Sequence, residues 1–216
     1  MSDRRLGAIV LAAGEAKRFG AAKQVLVWKG QTLVERAVQA CQDASCEQIV
    51  VVTGAHREEI QSRLLREDPP TSTELSLKPM LDSSSFSIAH NQAWANGMHT
   101  SIVCGMKELT TLAPALDAAF IVLVDQPLID APFLRKLADA QIDVNASALG
   151  YPSGAGVPAC FGESLFPRLL NLNTTSGGAK AILRDPAVNI TLVNDPDRRR
   201  DIDTFADWND FNLTQH

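Results

Sequence analysis

The sequence predicts an α/β protein built on one three-layer, mostly parallel twisted sheet. Three continuous apolar runs, each bounded by glycine or charged residues, have the length of strands that are buried on both faces. Segments with helical spacing separate them, and strands that alternate with such helices form right-handed crossover units. A chain of 216 residues can bury a large core and lies below the size at which cores usually split. We therefore expect a single domain over residues 1–216.

The three buried strands have the sequences LGAIVLAA, QIVVVT and AFIVLV. They are predicted at residues 6–13, 48–53 and 119–124. A pair of arginines precedes the first strand, as in a secretory signal peptide. The apolar run of this strand has eight residues and is followed by glycine and charged residues. A run of this length is too short for an export signal or for a membrane span.

Apolar spacing and capping residues predict the helices between these strands. In residues 32–42 the apolar positions fall on one face, and Thr32 with Glu35 has the spacing of a capping box. A helix over residues 131–141 begins after Asp130, a good N-cap residue, and has proline in its first turn. Both segments fit helices that pack on the sheet.

The remaining segments carry weaker patterns. Residues 56–66 are predicted to be a further helix, whereas residues 68–85 are rich in Pro, Ser and Thr and are predicted to be a long surface loop. The pattern becomes irregular after residue 146. For that part we predict a short strand ending at Tyr151, a glycine-rich turn, helices from Glu163 and over 178–184, a strand over 188–193 and a last helix from about Phe205.

The charge balance excludes several classes of partner. With 20 Lys and Arg against 25 Asp and Glu, the net charge is -5, which disfavours broad binding to nucleic acid or to an anionic membrane. Any phosphate chemistry then depends on local positive charge. The four cysteines form no Cys-x-x-Cys pair and have no histidines at metal spacing. We therefore expect no zinc site and no disulfide framework, and a location in the reducing cytoplasm.

A glycine-containing loop with three cations follows the first strand. Gly14 and Gly20 permit tight turns that present backbone N–H groups, while Lys17, Arg18 and Lys23 place positive charge at the carboxyl edge of the sheet. A nucleoside triphosphate would suit such a loop. The loop lacks both the Gly-x-Gly-x-x-Gly of a dinucleotide site and the Gly-Lys-Ser/Thr of a Walker loop.

Acidic residues at two other places could hold Mg²⁺ against phosphates. Asp125 follows the third predicted strand within Asp-Gln-Pro, and its carboxylate is a hard oxygen ligand. The alternative role is a turn or a helix cap. Asp201 and Asp203 are separated by one residue, so in a strand both carboxylates would point to one face. Their alternative role is charge balance for the arginines at 198–200.

The loop resembles the signature of the MobA-like nucleotidyltransferases, Leu-Ala-x-Gly-x-x-x-Arg-x-Gly-x-x-Lys. The matching residues are Leu11, Ala12, Gly14, Arg18, Gly20 and Lys23. Asp-Gln-Pro is similar to the molybdenum cofactor cytidylyltransferase branch, whereas the guanylyltransferase branch more often has Asp-Met-Pro. Further matches to that branch are Asn91-x-x-Trp94-x-x-Gly97-Met98-x-x-Ser101, Gly156-Val157-Pro158-x-x-Phe161 and Gly178-Ala179-Lys180.

This resemblance implies a Rossmann-like nucleotide-diphospho-sugar transferase fold and a Mg²⁺-dependent reaction. The implied reaction transfers CMP from CTP to molybdenum-bound molybdopterin and releases pyrophosphate. Lys23, Arg18 and Asp125 are the implied catalytic residues, with the two cations steadying the triphosphate. Asp125, with Asp201 or Asp203, would hold the metal. The implied small-molecule partners are a nucleoside triphosphate and a molybdopterin, and a molybdoenzyme or its chaperone is the implied protein partner.

The resemblance also implies the ligand contacts. Those on the nucleotide side are Leu11, Ala12, Ala13, Gly14, Lys23, Thr53 and Gly54, with backbone groups as readers of the base. Those on the acceptor side are Gly156, Pro158, Gly178 and Lys180, where small residues admit a flat pterin. Asn91 and Ser101 belong to the same set of implied contacts.

The chain departs from the family pattern at four positions. Ser176 replaces an acid, Phe205 and Ala206 replace Pro and Glu, and Glu15 stands where a small or neutral residue is usual. Three alternatives therefore stay open. The donor could be GTP or the acceptor another small phosphate, or the chain could be a non-catalytic nucleotide-binding regulator or partner subunit of a molybdoenzyme. An NAD-dependent oxidoreductase is disfavoured by the missing glycine fingerprint.

Overall fold

The structure is a computed structural model that describes residues 4–65, 81–174 and 178–214. The strands in these ranges are β1 (Leu6–Ala12), β2 (Val27–Trp28), β3 (Gln31–Thr32), β4 (Gln48–Thr53), β5 (Phe86–His90), β6 (Ala118–Leu123), β7 (Ala146–Tyr151), β8 (Gly154–Gly162) and β9 (Ile190–Val193). The α-helices are α1 (Leu33–Asp43), α2 (Arg57–Leu65), α3 (Met98–Leu112), α4 (Ala131–Ala140), α5 (Phe166–Leu170), α6 (Ala179–Leu183) and α7 (Phe205–Thr214).

Seven of these strands form one mostly parallel sheet in the order β5-β4-β1-β6-β8-β7-β9. The three strands predicted to be buried lie side by side at its centre, because β1 pairs in parallel with both β4 and β6. The helices α1, α2 and α4 pack on one face, and α3, α5 and α6 pack on the other. The predicted three-layer α/β class is therefore confirmed.

Local signals set the ends of the best-predicted helices. The Thr32 hydroxyl accepts a hydrogen bond from the Glu35 N–H at 3.2 Å, and the Glu35 carboxylate accepts one from the Thr32 N–H at 2.7 Å. The Asp130 carboxylate accepts from the N–H of Phe133 at 3.0 Å at the start of α4. These bonds satisfy N–H groups that a helix leaves free in its first turn.

The glycine-rich turn predicted after Tyr151 is wrong in extent, because most of that segment is the strand β8. This strand runs antiparallel between β6 and β7. Its register with β7 shifts between Ala148 and Leu149, and the irregular part of β8 contains Val157 and Pro158. Proline cannot donate to a strand ladder and is tolerated at such irregularities. A long strand that contains proline and glycine therefore has the local pattern of a turn.

Smaller differences concern the weaker patterns. β5 and α3 were not predicted, since Gly105 and threonines interrupt the apolar spacing of that helix. The predicted helix from Glu163 begins as one 3₁₀ turn that continues into α5, and the predicted strand over 188–193 starts at Ile190. Most of the loop predicted over 68–85 lies outside the described residues.

Gly105 allows α3 to pack closely on the sheet. A Cβ at this position would lie 2.6 Å from Ile9 Cγ2 and 2.8 Å from Val52 Cγ2, and both side chains are fully buried. We expect Gly105→Ala to lower the free energy of unfolding by about 1–3 kcal/mol, the usual cost of overpacking. Urea denaturation measures this change. A variant as stable as the wild type would show that α3 does not pack so tightly.

The segment before α7 is anchored by a small aromatic cluster. Trp28 and Phe211 pack edge to face with ring centroids 4.7 Å apart, and Trp208 stacks on Phe211 at 6.2 Å. The fully buried side chain of Ile202 packs in the same cluster. As a result, the chain on either side of Ile202 is held beside the end of β6.

No helix in the three described ranges combines the length and the apolar character that a membrane crossing needs.

Candidate active site

The loop that follows β1 and the segment with Asp125 that follows β6 meet at the carboxyl edge of the sheet. Both begin side by side, because Leu11 near the end of β1 pairs with Leu123 at the end of β6. Lys23 lies at the far end of the β1 loop, in a 3₁₀ turn, and its Nζ is 2.7 Å from Oδ2 of Asp125. Ligands of open α/β sheets bind at this edge. The structure thus brings together the two residues on which the predicted phosphate site depends.

Lys23 makes three polar contacts through its ammonium group. Besides Asp125, Nζ donates to the carbonyl oxygen of Ile202 at 2.9 Å and to Oδ1 of Asp203 at 3.2 Å. Its side chain is only 12% exposed and that of Asp125 is 19% exposed. An ammonium has three hydrogens, so these contacts use all of them. Any ligand that binds Lys23 must exchange for one of these partners.

Asp125 has a free oxygen suited to a hard cation. Its Oδ1 is buried and has no hydrogen-bond partner, which is unusual for a buried polar atom. The described residues contain no group of three or more His, Cys, Asp or Glu side chains placed to hold a metal ion. Mg²⁺ commonly uses one or two carboxylates and takes its other oxygens from phosphates and water. The Asp125 and Asp203 carboxylates fit that mode.

The segment 201–203 is not a strand, so the predicted reason for a shared face of Asp201 and Asp203 is wrong. The Ile202 N–H instead donates to the carbonyl oxygen of Asp125 at 2.8 Å. Asp203 then faces Lys23 and also pairs with Arg18, whose guanidinium is 3.0 Å from Oδ2. The carboxylates of Asp201 and Asp203 still lie near Asp125. Ile202, which stands between them, is buried and bonded to the Asp125 backbone.

The Asp201 carboxylate is bonded to Gln126, the residue after Asp125, and lines a different cavity from Asp203. Its Oδ1 accepts a hydrogen bond from Nε2 of Gln126 at 2.9 Å. Burial raises the pKa of the Asp201 carboxyl above its usual value; the Gln126 hydrogen bond opposes this, and the charges of Asp125 and Asp203 add to it. A cation bound beside these carboxylates would favour the ionised form of Asp201.

A cavity of about 360 Å³, which we call the loop cavity, opens beside Lys23. Six of the implied ligand contacts line it: Leu11, Ala12, Ala13, Gly14, Lys23 and Ser101. Arg18, Asp125 and Asp203 line it as well, so the three predicted catalytic residues and two of the three predicted metal ligands share this space. Its mixture of backbone, cations and carboxylates suits a metal-bound polyphosphate.

A second cavity of about 490 Å³, the hairpin cavity, lies under the β7–β8 hairpin. Three of the four implied acceptor contacts line it, namely Gly156, Gly178 and Lys180, and so does Asp201. Met98 and Leu123 line both cavities, which are therefore neighbours. Two adjacent cavities with carboxylates between them can hold two substrates side by side.

Four predicted ligand contacts line neither cavity. Thr53 is fully buried, and its carbonyl accepts from the Asn91 N–H at 2.9 Å. The Asn91 side chain donates to Ser101 Oγ at 3.0 Å. Gly54 packs against Trp94, where a Cβ would lie 2.7 Å from the Trp94 side chain, and Pro158 is buried in β8. Asn91 and Gly54 contact Ser101 and Trp94, which line the loop cavity, and all four residues remain predicted ligand contacts.

Several residues at the site were not predicted. Gln24 is 1% exposed, and its Nε2 donates to the carbonyl oxygens of Ala12 at 3.0 Å and Gly14 at 2.7 Å. These bonds fix the wall of the loop cavity. Gln126 and Tyr151 line the hairpin cavity. The sequence offers one signal for these glutamines as site residues: Gln24 directly follows Lys23, and Gln126 directly follows Asp125.

The departures from the family pattern that fall within the described residues line neither cavity. Glu15 pairs with Lys17 at 3.2 Å and does not line the loop cavity, so its charge is balanced by a neighbouring cation. Phe205 packs edge to face on Phe19 with ring centroids 5.9 Å apart, and Ala206 is exposed. Ser176 lies outside the described residues.

Solved structures with the same fold cover almost the whole chain. A nucleotidyl transferase from Methanothermobacter has a TM-score of 0.76 and 20% identity, with 98% of this chain and 99% of that chain covered. Rv0371c from Mycobacterium tuberculosis H37Rv, in complex with manganese, has a TM-score of 0.69 and 19% identity, with 98% and 100% covered. These likenesses establish the expected nucleotide-diphospho-sugar transferase fold.

Two sequence relatives match different shares of the chain. Nicotine blue oxidoreductase from Paenarthrobacter nicotinovorans is 26% identical over 206 residues, which cover 91% of both proteins. A probable molybdenum cofactor guanylyltransferase from Bacillus cytotoxicus is 39% identical over 62 residues, or 29% of this chain and 31% of that protein. The family model described as the MobA-like NTP transferase domain matches residues 8–190. Since this match includes the β1 loop and the end of β6, the chain belongs to the MobA-like NTP transferase family.

Proposed function

We propose that the protein is a metal-dependent nucleotidyltransferase that transfers CMP from CTP to the terminal phosphate of molybdenum-bound molybdopterin. The observation that carries this proposal is the meeting of Lys23, Asp125 and Asp203 beside two adjacent cavities. Membership in the MobA-like family supports the reaction class. The Asp-Gln-Pro sequence at 125–127 supports the cytidylyl branch by resemblance.

The reaction needs positioning and charge neutralisation more than covalent help. An acceptor phosphate oxygen attacks the α-phosphorus of the nucleotide, and the bond from that phosphorus to the bridging oxygen breaks. Pyrophosphate leaves with the bonding electron pair. Lys23 and Arg18 would bind the triphosphate and stabilise the charge on the departing pyrophosphate.

Asp125, with Asp203 or Asp201, would hold the metal. When bound, Mg²⁺ would neutralise negative charge on the phosphates. The unpartnered Oδ1 of Asp125 supports this assignment. The mycobacterial structure with manganese supports a divalent metal in this fold.

The hairpin cavity is the proposed acceptor site. Gly178 has open space where a side chain would project, so a flat pterin can approach its backbone closely, and the Tyr151 ring that covers Gly156 offers a flat wall. Lys180 supplies a cation for the acceptor phosphate. The volume of about 490 Å³ lies within the usual range for small-molecule sites.

The cytoplasm is the proposed location of this reaction. All four cysteines are unpaired, and Cys41, Cys46 and Cys160 are buried. Burial raises the pKa of the Cys160 thiol to about 12, so this thiol remains protonated and unreactive. A molybdoenzyme or its chaperone is the protein partner proposed to receive the product.

Two specific observations favour other activities. The Bacillus relative is a guanylyltransferase by name, which favours GTP as the donor. The Paenarthrobacter relative is an oxidoreductase by name and aligns over nearly the full chain, which favours redox chemistry on the same scaffold. The loop after β1 lacks the Gly-x-Gly-x-x-Gly of a dinucleotide site, which argues against redox chemistry.

Parallel binding and turnover measurements separate these activities. Thermal unfolding is followed with CTP, GTP, ATP, UTP, NADH and NADPH, with and without Mg²⁺, and pyrophosphate release is followed with molybdenum-bound molybdopterin. We expect CTP with Mg²⁺ to stabilise the protein most, by about 2.7 kcal/mol when CTP is at 100 times its Kd, and to release pyrophosphate. Preferential turnover of GTP, nucleotide binding without turnover, or oxidation of NADPH with an electron-accepting dye would each overturn the proposal.

A further inference from the structure

Gln126 is a buried glutamine that lines the hairpin cavity and directly follows Asp125, which lines the loop cavity. It is 4% exposed, and its Nε2 lies 2.7 Å from Tyr151 Oη, 2.9 Å from Asp201 Oδ1 and 3.2 Å from the Val157 carbonyl oxygen. We call these four residues the Gln126 network. An amide nitrogen has two hydrogens, and the two short contacts take them.

The direction of each hydrogen bond in the network is fixed by chemistry. Burial raises the pKa of Tyr151 to about 12, so its hydroxyl keeps a proton, which it donates to the Val157 carbonyl at 2.7 Å. Tyr151 Oη therefore accepts from Gln126. The Asp201 carboxylate accepts the second hydrogen of the amide.

The network joins three parts of the chain. Gln126 directly follows Asp125 at the end of β6, Tyr151 ends β7, and Asp201 belongs to the segment before α7. A backbone hydrogen bond, from the Ile202 N–H to the Asp125 carbonyl oxygen, connects the same two segments. This backbone bond fixes the position of the segment before α7, whereas the bond from Gln126 fixes the direction of the Asp201 carboxylate.

The same network forms a wall of the hairpin cavity. Gln126, Tyr151, Val157 and Asp201 all line it. The Tyr151 ring lies directly on Gly156, where a Cβ would be 2.6 Å from Tyr151 Cε2. A change at Gln126 therefore affects both the carboxylate group and the surface proposed to meet the acceptor.

We propose that Gln126 is a positioning residue that orients the Asp201 carboxylate towards the metal held by Asp125 and, through Tyr151, fixes the wall against which the acceptor binds. This inference rests on the proposed nucleotidyl transfer. Residues that orient metal ligands through hydrogen bonds commonly change metal affinity or activity by about 10–100-fold when they are replaced. Methionine has the length of glutamine and cannot donate, so Gln126→Met removes both bonds while filling the space.

The test compares three variants with the wild type. Mn²⁺ affinity is measured by electron paramagnetic resonance in the presence of CTP, and pyrophosphate release is measured with molybdenum-bound molybdopterin. For Gln126→Met we expect Mn²⁺ affinity and kcat to fall about 10–100-fold while KM for CTP stays within about twofold. For Tyr151→Phe, which keeps the bond from Gln126 to Asp201, we expect unchanged Mn²⁺ affinity and a raised KM for the acceptor.

The matched control is Gln141→Met. Gln141 is also a buried glutamine, 5% exposed, but it donates to the Val144 carbonyl and accepts from Arg4 at the amino end of the sheet. This variant is expected to lower the unfolding temperature only. If Gln126→Met also changes only the unfolding temperature, or if wild type binds no Mn²⁺ with CTP, the inference is overturned. If the wild type binds Mn²⁺ and CTP but releases no pyrophosphate, the proposed function fails, and the Mn²⁺ affinity of Gln126→Met still decides the role of Gln126.

Discussion

Lys23→Met is expected to lower kcat/KM for nucleotidyl transfer by about 10³-fold, or about 4 kcal/mol of transition-state stabilisation. Lys23 lines the loop cavity, where its ammonium is proposed to bind the triphosphate and the departing pyrophosphate. Methionine keeps the apolar stem, so the loss reports on the charge. Pyrophosphate release at varied CTP measures it.

Lys23→Met is also expected to lower the free energy of unfolding, because Lys23 pairs with two carboxylates in addition to its proposed role in binding phosphate. Without its ammonium, Asp125 and Asp203 lose the cation between them, and loss of one partner of a buried pair is strongly destabilising. Because both carboxylates are partly exposed, we expect a loss of about 2 kcal/mol. Mg²⁺ should then stabilise Lys23→Met more than the wild type, since the metal no longer competes with the ammonium.

Lys29→Met is the matched control for this prediction. Lys29 lies over the Trp28 ring at 4.8 Å and lines neither cavity. We expect wild-type kinetics and an unchanged response to Mg²⁺. Wild-type turnover by Lys23→Met would remove the central residue from the proposed mechanism.

Asp125→Asn is expected to reduce metal-dependent turnover by a similar factor, about 10³-fold. The amide keeps the shape of the side chain but removes the charge that a divalent cation requires. Lys23 retains its contacts to the Ile202 carbonyl and to Asp203, so we expect little change in the fold. Mn²⁺ titration in the presence of CTP and pyrophosphate release measure the two effects.

Asp117→Asn is the control, because Asp117 flanks β6 at its other end. Asp117 precedes β6 at the opposite edge of the sheet, and its Oδ2 accepts from the Arg5 N–H at 2.7 Å. This variant should keep both metal affinity and kcat. Unchanged metal affinity in Asp125→Asn would place the metal elsewhere and contradict the assignment of the carboxylates.

The part of the candidate site that could be predicted from the sequence consists of residues that follow the ends of predicted strands. Lys23 and Asp125 could be placed together because parallel strands bring their carboxyl ends to one edge of a sheet. Asn91 and Thr53 remain predicted ligand contacts, and the structure adds that they bond to each other and that Asn91 bonds to Ser101 in the wall of the loop cavity. A motif does not distinguish a residue that touches a ligand from one that supports its neighbour.

The sequence by itself determined the α/β class, the three central strands and the capped starts of α1 and α4. These features depend on the spacing of apolar residues and on side chains that bond their own helix ends, which are local properties of the chain. Only the tertiary structure decided the insertion of β8 between β6 and β7, the contacts of Lys23 and the Gln126 network. Each of these depends on hydrogen bonds between residues far apart in the chain, and no local pattern encodes such partners.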